Sequence, residues 1–183
     1  MTTRFKNIDL KKWKIISIFV IFGLSALFHF IYQWVPSFFT SLLFPVNESI
    51  WEHNKIIIGS FLIWSIFEKI TIRKHHDLNT CTSGFISAVI CCILVMLIFS
   101  PIYFYILKTN DNTIVTLTVY FICIAISVYI NYKLLQRKYN PEIEKKVILL
   151  WLLVIVINAI LTYYHPKLPK FYDYNKNIYG LKN

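Results

Sequence analysis

Long apolar runs separated by short charged stretches dominate the chain. Four of them, at 13–34, 84–107, 114–132 and 147–164, are nearly free of charge. A helix that crosses the roughly 30 Å hydrocarbon core needs about 20 apolar residues, each rising about 1.5 Å. A fifth run, 50–68, carries Glu52, His53 and Lys55 in its first turns and is apolar afterwards. Lipid offers no partner to backbone N–H and C=O groups, so all five are predicted to be helices. Residues 36–46 are apolar but only about half as long as a span requires. They are expected to lie in the outer interface or to dip back as a re-entrant turn. The predicted fold is all-α: a polytopic membrane helical bundle of about five transmembrane helices plus that short segment. It forms one integral membrane domain over 1–183, with an outer C-terminal tail at 165–183.

Charge gives this bundle a direction. If the N-terminus is cytoplasmic, the inner segments hold Lys11, Lys12, Lys14, Lys69, Arg73, Lys74, Lys133, Arg137, Lys138, Lys145 and Lys146, together with Arg4 and Lys6. Between Trp34 and Trp51 there is no Lys or Arg. That asymmetry has the sign of the positive-inside rule, and Trp13, Trp64, Trp151, Trp34 and Trp51 fall at the two boundaries where indoles settle. The run at 13–34 follows a basic segment, as a signal peptide would. It ends in aromatics without a small-x-small cleavage pattern, so it is read as a retained first span. The expected location is the cell membrane, with the C-terminus outside.

Composition narrows the classes. Of the 183 residues 57% are hydrophobic and only 15% charged, against about 25% charged in soluble domains. The net charge of +10 does not point to nucleic acid, because the cations sit between apolar runs; anionic lipid at the inner face is the expected partner. The four cysteines, Cys81, Cys91, Cys92 and Cys123, lie in or beside apolar runs and read as small buried hydrophobes rather than disulfides.

The polar residues of the outer half recur on single helix faces. Ser25, His29 and Gln33 are spaced by four, and Asn158, Thr162 and His165 by four and three, which aligns each set. Glu48, Glu52 and Lys55 form a third stripe, with His53 beside it. Charged groups inside spans are costly and turn toward protein, so the three stripes are expected to face one another around an outward-facing pocket. On that reading Glu52, His53 and Glu48 are the candidate catalytic groups. Gln33, Trp51 and Asp173 are candidate substrate contacts. His29, Glu52 and His165 are candidate ligands for a divalent metal such as zinc. Glu52 and His53 diverge by about 100° around a helix, so they do not readily share one ion.

Each residue also has an ordinary reading. Ser49-Ile50-Trp51-Glu52 fits a capping box, Glu48 suits a helix N-terminus, and Glu52 with Lys55 fits a local ion pair. His29 reads equally as a hydrogen-bonded interior histidine, His165 as a headgroup-level residue, and Asn158 as a tie between helices.

The run Phe44-Pro45-Val46-Asn47-Glu48-Ser49-Ile50-Trp51-Glu52-His53 resembles the signature of a family of small multi-pass bacterial membrane proteins of unknown function. His29-Phe30-Ile31-Tyr32-Gln33-Trp34 and Pro169-Lys170-Phe171-Tyr172-Asp173 are similar to its other two landmarks. The resemblance implies a bacterial envelope protein in which the three polar segments belong together; it implies no reaction. Three functions follow as expectations. One is a membrane-embedded hydrolase or transferase acting on lipid or an envelope substrate. A second is a proton-linked carrier titrating at Glu48 and Glu52. The third is a non-catalytic accessory subunit.

Overall fold

The computed structural model describes residues 9–72, 78–102 and 112–181. Arg73, Lys74, His75 and His76, the end of the third run beyond 102, and Arg4 and Lys6 lie outside these. The architecture is the expected all-α bundle. Its helices are α1 (Leu10–Trp34), α2 (Phe38–Leu43), α3 (His53–Ile72), α4 (Thr80–Ile102), α5 (Thr113–Leu135) and α6 (Pro141–Tyr163). A 3-10 turn at Pro169–Phe171 leads into a small antiparallel hairpin of β1 (Tyr172–Asp173) and β2 (Ile178–Tyr179).

Helices α1, α4, α5 and α6 are long and apolar enough to cross a membrane. On their outer faces Phe19, Leu97, Tyr129 and Leu149 are mostly exposed, an arrangement that suits a lipid surrounding. Helix α3 has the same reach, about 30 Å for its 20 residues, but carries Lys55, Glu68 and Lys69. It is also the most enclosed element, packing on α1, α4 and α6. Ile57, Phe61 and Trp64 from α3 meet Ile21, Cys91, Cys123, Ile124 and Trp151 in the core. The four cysteines are free thiols, in line with their reading as packing residues.

Helix ends depart from the apolar runs wherever polar side chains extend a helix beyond them. Helix α1 begins at Leu10, three residues before the run, because Asp9 caps it through the N–H groups of Lys11 and Lys12. Helix α6 begins at Pro141 rather than 147, with Asn140 as cap and Pro141 in the first turn. Helix α4 begins at Thr80 rather than 84. It has no side-chain cap of its own; the Glu144 carboxylate of α6 instead accepts from Cys81 N (3.0 Å) and Thr82 N (2.8 Å). A carboxylate there is also stabilised by the positive end of the helix dipole. Near its far end α4 loosens into a π-turn over Val95–Phe99. Pro101 follows, and its ring nitrogen cannot donate to the preceding turn.

The end of the bundle where α1 and α6 start holds a buried charge cluster. Glu68 of α3 accepts from Lys14 Nζ and from Trp13 Nε1 (3.0 Å), and Lys14 also donates to Asn131 Oδ1 of α5. Glu68 is fully enclosed and Lys14 nearly so. Lys14 was expected simply among the inner cations; it is the partner that lets Glu68 lie inside the bundle. A buried pair contributes little net stability but is costly to break, by about 3–5 kcal/mol when one member is removed. Lys14→Met should therefore cost about that much in detergent unfolding, whereas Lys14→Met combined with Glu68→Leu should recover most of the loss.

Close helix approach supplies a second test. A Cβ at Gly84 would lie 2.8 Å from Ser65 Cβ, so α3 and α4 touch through backbone and small side chains. Gly84→Ala should destabilise the protein by about 1–3 kcal/mol. The same change in a Ser65→Gly background should cost measurably less, read as non-additive thermal shifts.

Candidate functional site

At the opposite end, where α1 and α6 finish and α3 begins, the polar residues converge. Helix α2 starts from a reciprocal Ser37–Thr40 capping box and rests on α6, with Ser41 Oγ 2.6 Å from Tyr163 OH. The chain then crosses back toward α3 through Phe44-Pro45-Val46-Asn47-Glu48. Lys55 Nζ donates to the carbonyls of Ser41 (2.7 Å) and Phe44 (3.4 Å), a cation placed on the orphan carbonyls of a helix C-terminus.

Glu52 organises this turn. Its carboxylate accepts from Lys55 Nζ at 2.8 Å, Thr162 Oγ1 at 2.7 Å and Val46 N at 3.2 Å, and it is almost fully buried. The expected ion pair with Lys55 is present. The expected capping box is half present: Ser49 Oγ accepts from Glu52 N (3.3 Å). The carboxylate does not reach back to Ser49 N, which instead donates to Asn47 Oδ1 (2.9 Å). Buried cationic and hydroxyl donors outcompete a local backbone N–H for it. Helix α3 accordingly begins at His53, three residues later than the apolar run.

Beside this anchor His29, Glu48 and His53 come together. Glu48 Oε2 is 3.5 Å from His29 Nε2 and 3.7 Å from His53 Nε2, and the two imidazole rings are 5.3 Å apart. One ligand atom from each of the three lies within 4.8 Å of the other two. All three side chains are a quarter to a third exposed. His53 Nδ1 lies 2.8 Å from Ser49 O; a proton there leaves Nε2 as the free acceptor on the Glu48 side. This is the outer contact that orients imidazoles in metal centres.

The hairpin is fastened to the loop that carries Glu48. Asp173 is fully buried. It accepts from Glu48 N (2.9 Å) with one oxygen, and from Asn175 N (2.9 Å) and Lys176 N (3.0 Å) with the other. Asn47 Nδ2 donates to Gly180 O (2.7 Å). Trp51 N donates to Lys170 O (2.9 Å), and the Trp51 ring stacks on Phe171 with centroids 4.6 Å apart. Gly180 sits at φ +59°, with His165 so close that a Cβ would collide with its ring.

All three landmark runs meet in this one assembly, and the family model covers residues 2–181. The chain belongs to the family of unknown function DUF6512. No curated protein and no solved structure matches it.

Placed on this DUF6512 chain, the candidate residues separate into groups. His29, Glu48 and His53 form the cluster. Glu52 lies outside it, bound to Lys55 and Thr162, so the structure groups His29 with Glu48 and His53 rather than with Glu52 and His165. His165 stacks on Tyr179 instead (5.4 Å). Asp173 and Trp51 hold the hairpin to the loop through the contacts above, and Gln33 is exposed on the next turn past His29. The stripe Asn158, Thr162 and His165 splits: Thr162 reaches Glu52, while Asn158 donates to Val154 O within its own helix. Lys176 was not singled out by the sequence, and nothing in its spacing marks it.

Removing the Asp173 carboxylate detaches both the Glu48 backbone and the hairpin turn. Hydrogen bonds to a charged group are worth about 1.5–3 kcal/mol each. Asp173→Ala should lower thermal stability by at least that much and speed limited proteolysis of the tail, with cleavage mapping to residues 165–181.

Proposed function

We propose that the chain is a five-span membrane protein with a cytoplasmic N-terminus, whose His29–Glu48–His53 group binds a divalent metal such as zinc at the outer face. The metal there serves hydrolysis or group transfer on a lipid or envelope substrate. Orientation is supported by the helix ends: Lys11, Lys12, Lys69, Lys133, Arg137, Lys138, Lys145 and Lys146 all belong to the end opposite the histidines. That end suits anionic lipid in a cytoplasmic leaflet. The charges of α3 do not oppose a fifth crossing, because Lys55 and Glu68 are buried in ion pairs and Lys69 lies in the last turn.

The observation that carries the metal reading is the spacing of Glu48 from the two histidines, with all three ligand atoms within 4.8 Å of one another. Ligand bonds of about 2.0–2.2 Å in a tetrahedral site put donor atoms roughly 3.3–3.5 Å apart. The Glu48 oxygen stands 3.5 and 3.7 Å from the two imidazole nitrogens. Two histidines with one glutamate are also a donor set of catalytic zinc, which leaves a position open to water. An ion held by His29, Glu48 and His53 would lower the pKa of a bound water toward about 7 and would polarise a carbonyl or phosphoryl oxygen.

Metal quantification on protein purified in mild detergent tests this reading. Wild type should carry near-stoichiometric metal. His29→Ala, Glu48→Gln and His53→Ala should each lose at least tenfold in affinity, while His165→Ala should keep the metal. Glu48→Gln leaves the backbone N–H that meets Asp173, so folding is preserved and can be checked by thermal melting. A metal-free wild type, or a His29→Ala protein that retains its metal, would overturn the proposal.

A further inference from the structure

The hairpin fastened to the Glu48 loop also brings a cation to the His29–Glu48–His53 group. Its turn, 174–177, is fixed at both ends. Asp173 accepts from the N–H groups of Asn175 and Lys176, and Asn177 takes the left-handed conformation at φ 55°, which asparagine tolerates better than most residues. Tyr172 OH donates to Asn177 Oδ1 (3.3 Å), tying the turn to its own first strand. The same Asp173 carboxylate holds the Glu48 backbone. One buried side chain therefore sets the turn bearing Lys176 against a residue of the cluster, across 125 positions of sequence. The Lys176 side chain is exposed, and its backbone N–H is held by the same Asp173 carboxylate that holds Glu48 N, so this long cationic side chain starts beside the cluster.

We propose that Lys176 makes this centre a receptor for a phosphate monoester group, and that the substrate is a phosphate-bearing amphiphile of the outer leaflet. The inference rests on the metal reading above. Charge complementarity carries it. A divalent ion and the Lys176 ammonium set against Glu48 leave about two positive charges, the ligating imidazoles being neutral. Asp173 is turned away into three backbone N–H groups. A phosphate monoester carries about −1.5 to −2 near neutral pH. It can give one oxygen to the metal and another to the ammonium, a division that a neutral ester or a peptide carbonyl does not offer. Lys176 acts here as a substrate-binding residue, and the surrounding Tyr172, Tyr174 and Tyr179 suit the amphipathic level at which such headgroups lie.

The test uses the full chain, zinc-loaded in detergent, with calorimetric titration of three probes: inorganic phosphate, dihexanoyl phosphatidic acid and dihexanoyl phosphatidylcholine. Lys176→Ala should bind zinc as wild type does yet lose roughly tenfold in affinity for phosphatidic acid, the scale of one charge-assisted contact. Lys176→Arg should restore most of it. Tighter binding of phosphatidic acid than of inorganic phosphate assigns the site to a lipid headgroup. Equal, Lys176-dependent binding of both keeps the phosphate site and removes the lipid preference. Unchanged phosphatidic acid affinity in Lys176→Ala, or equally tight phosphatidylcholine, overturns the inference while leaving the metal centre standing. A wild type that holds no zinc removes both.

Discussion

The buried contact of Glu52 with Lys55 and Thr162 is the constraint on which this end of the molecule depends. One carboxylate joins the loop after α2, the first turn of α3 and the last turns of α6. Lys55 extends the join to α2 by taking its terminal carbonyls. Neither charge meets lipid, so the several-kcal/mol penalty of a lone charge in the hydrocarbon is replaced by a paired, hydrogen-bonded one. The neighbours of Glu52 in sequence inherit its placement. His53 is turned to the other side of the helix start, and Glu48 is carried on the loop that the carboxylate pins at Val46. Two of the three clustered donors are thus positioned by a residue that is not one of them.

Helix α3 repeats this device at its other end, where Glu68 meets Lys14, Trp13 and Asn131. A central helix that carries charge at both ends and apolar side chains between them is held in axial register: sliding by a turn would part Glu68 from Lys14 and Glu52 from Thr162. The apolar middle, Ile57, Phe61 and Trp64, supplies packing, which in lipid has no solvent-driven preference for protein over acyl chain. The polar ends supply what packing lacks, a unique depth and rotation.

The spans were legible because bilayer thickness imposes a length that composition must meet. Four helices long and apolar enough to cross follow directly from it, and the fifth run was recognisable as a helix, α3, despite its charges. The ends were less so, since a hydropathy pattern stops at the first lysine while a helix continues if a cap such as Asp9 or Asn140 is present. That the three polar segments meet was legible from their shared depth, although helical spacing did not keep the residues of each stripe together. Which carboxylate stands between the histidines was not. Glu48 and Glu52 lie one helical turn apart in the sequence, but α3 begins only at His53, so neither obeys helical geometry. The choice depends on Lys55 and Thr162, one of them 110 residues away. The Lys14–Glu68 pair was hidden for the same reason: a positive-inside count treats each lysine as a surface charge.

The hairpin shows how little regular structure a membrane protein needs to finish a site. Two strands of two residues have no stability of their own. They persist because Asp173, Asn47 and the Trp51–Phe171 stack connect them to the loop at Glu48. Those same contacts fix the loop, so loop and hairpin are ordered by each other. A site assembled this way is rigid where the backbone is tied and open where the side chains of His29, Glu48 and His53 remain partly exposed. That combination suits reversible binding at a membrane surface: the backbone does not have to reorganise when a ligand arrives, and the side chains that meet it are already facing out.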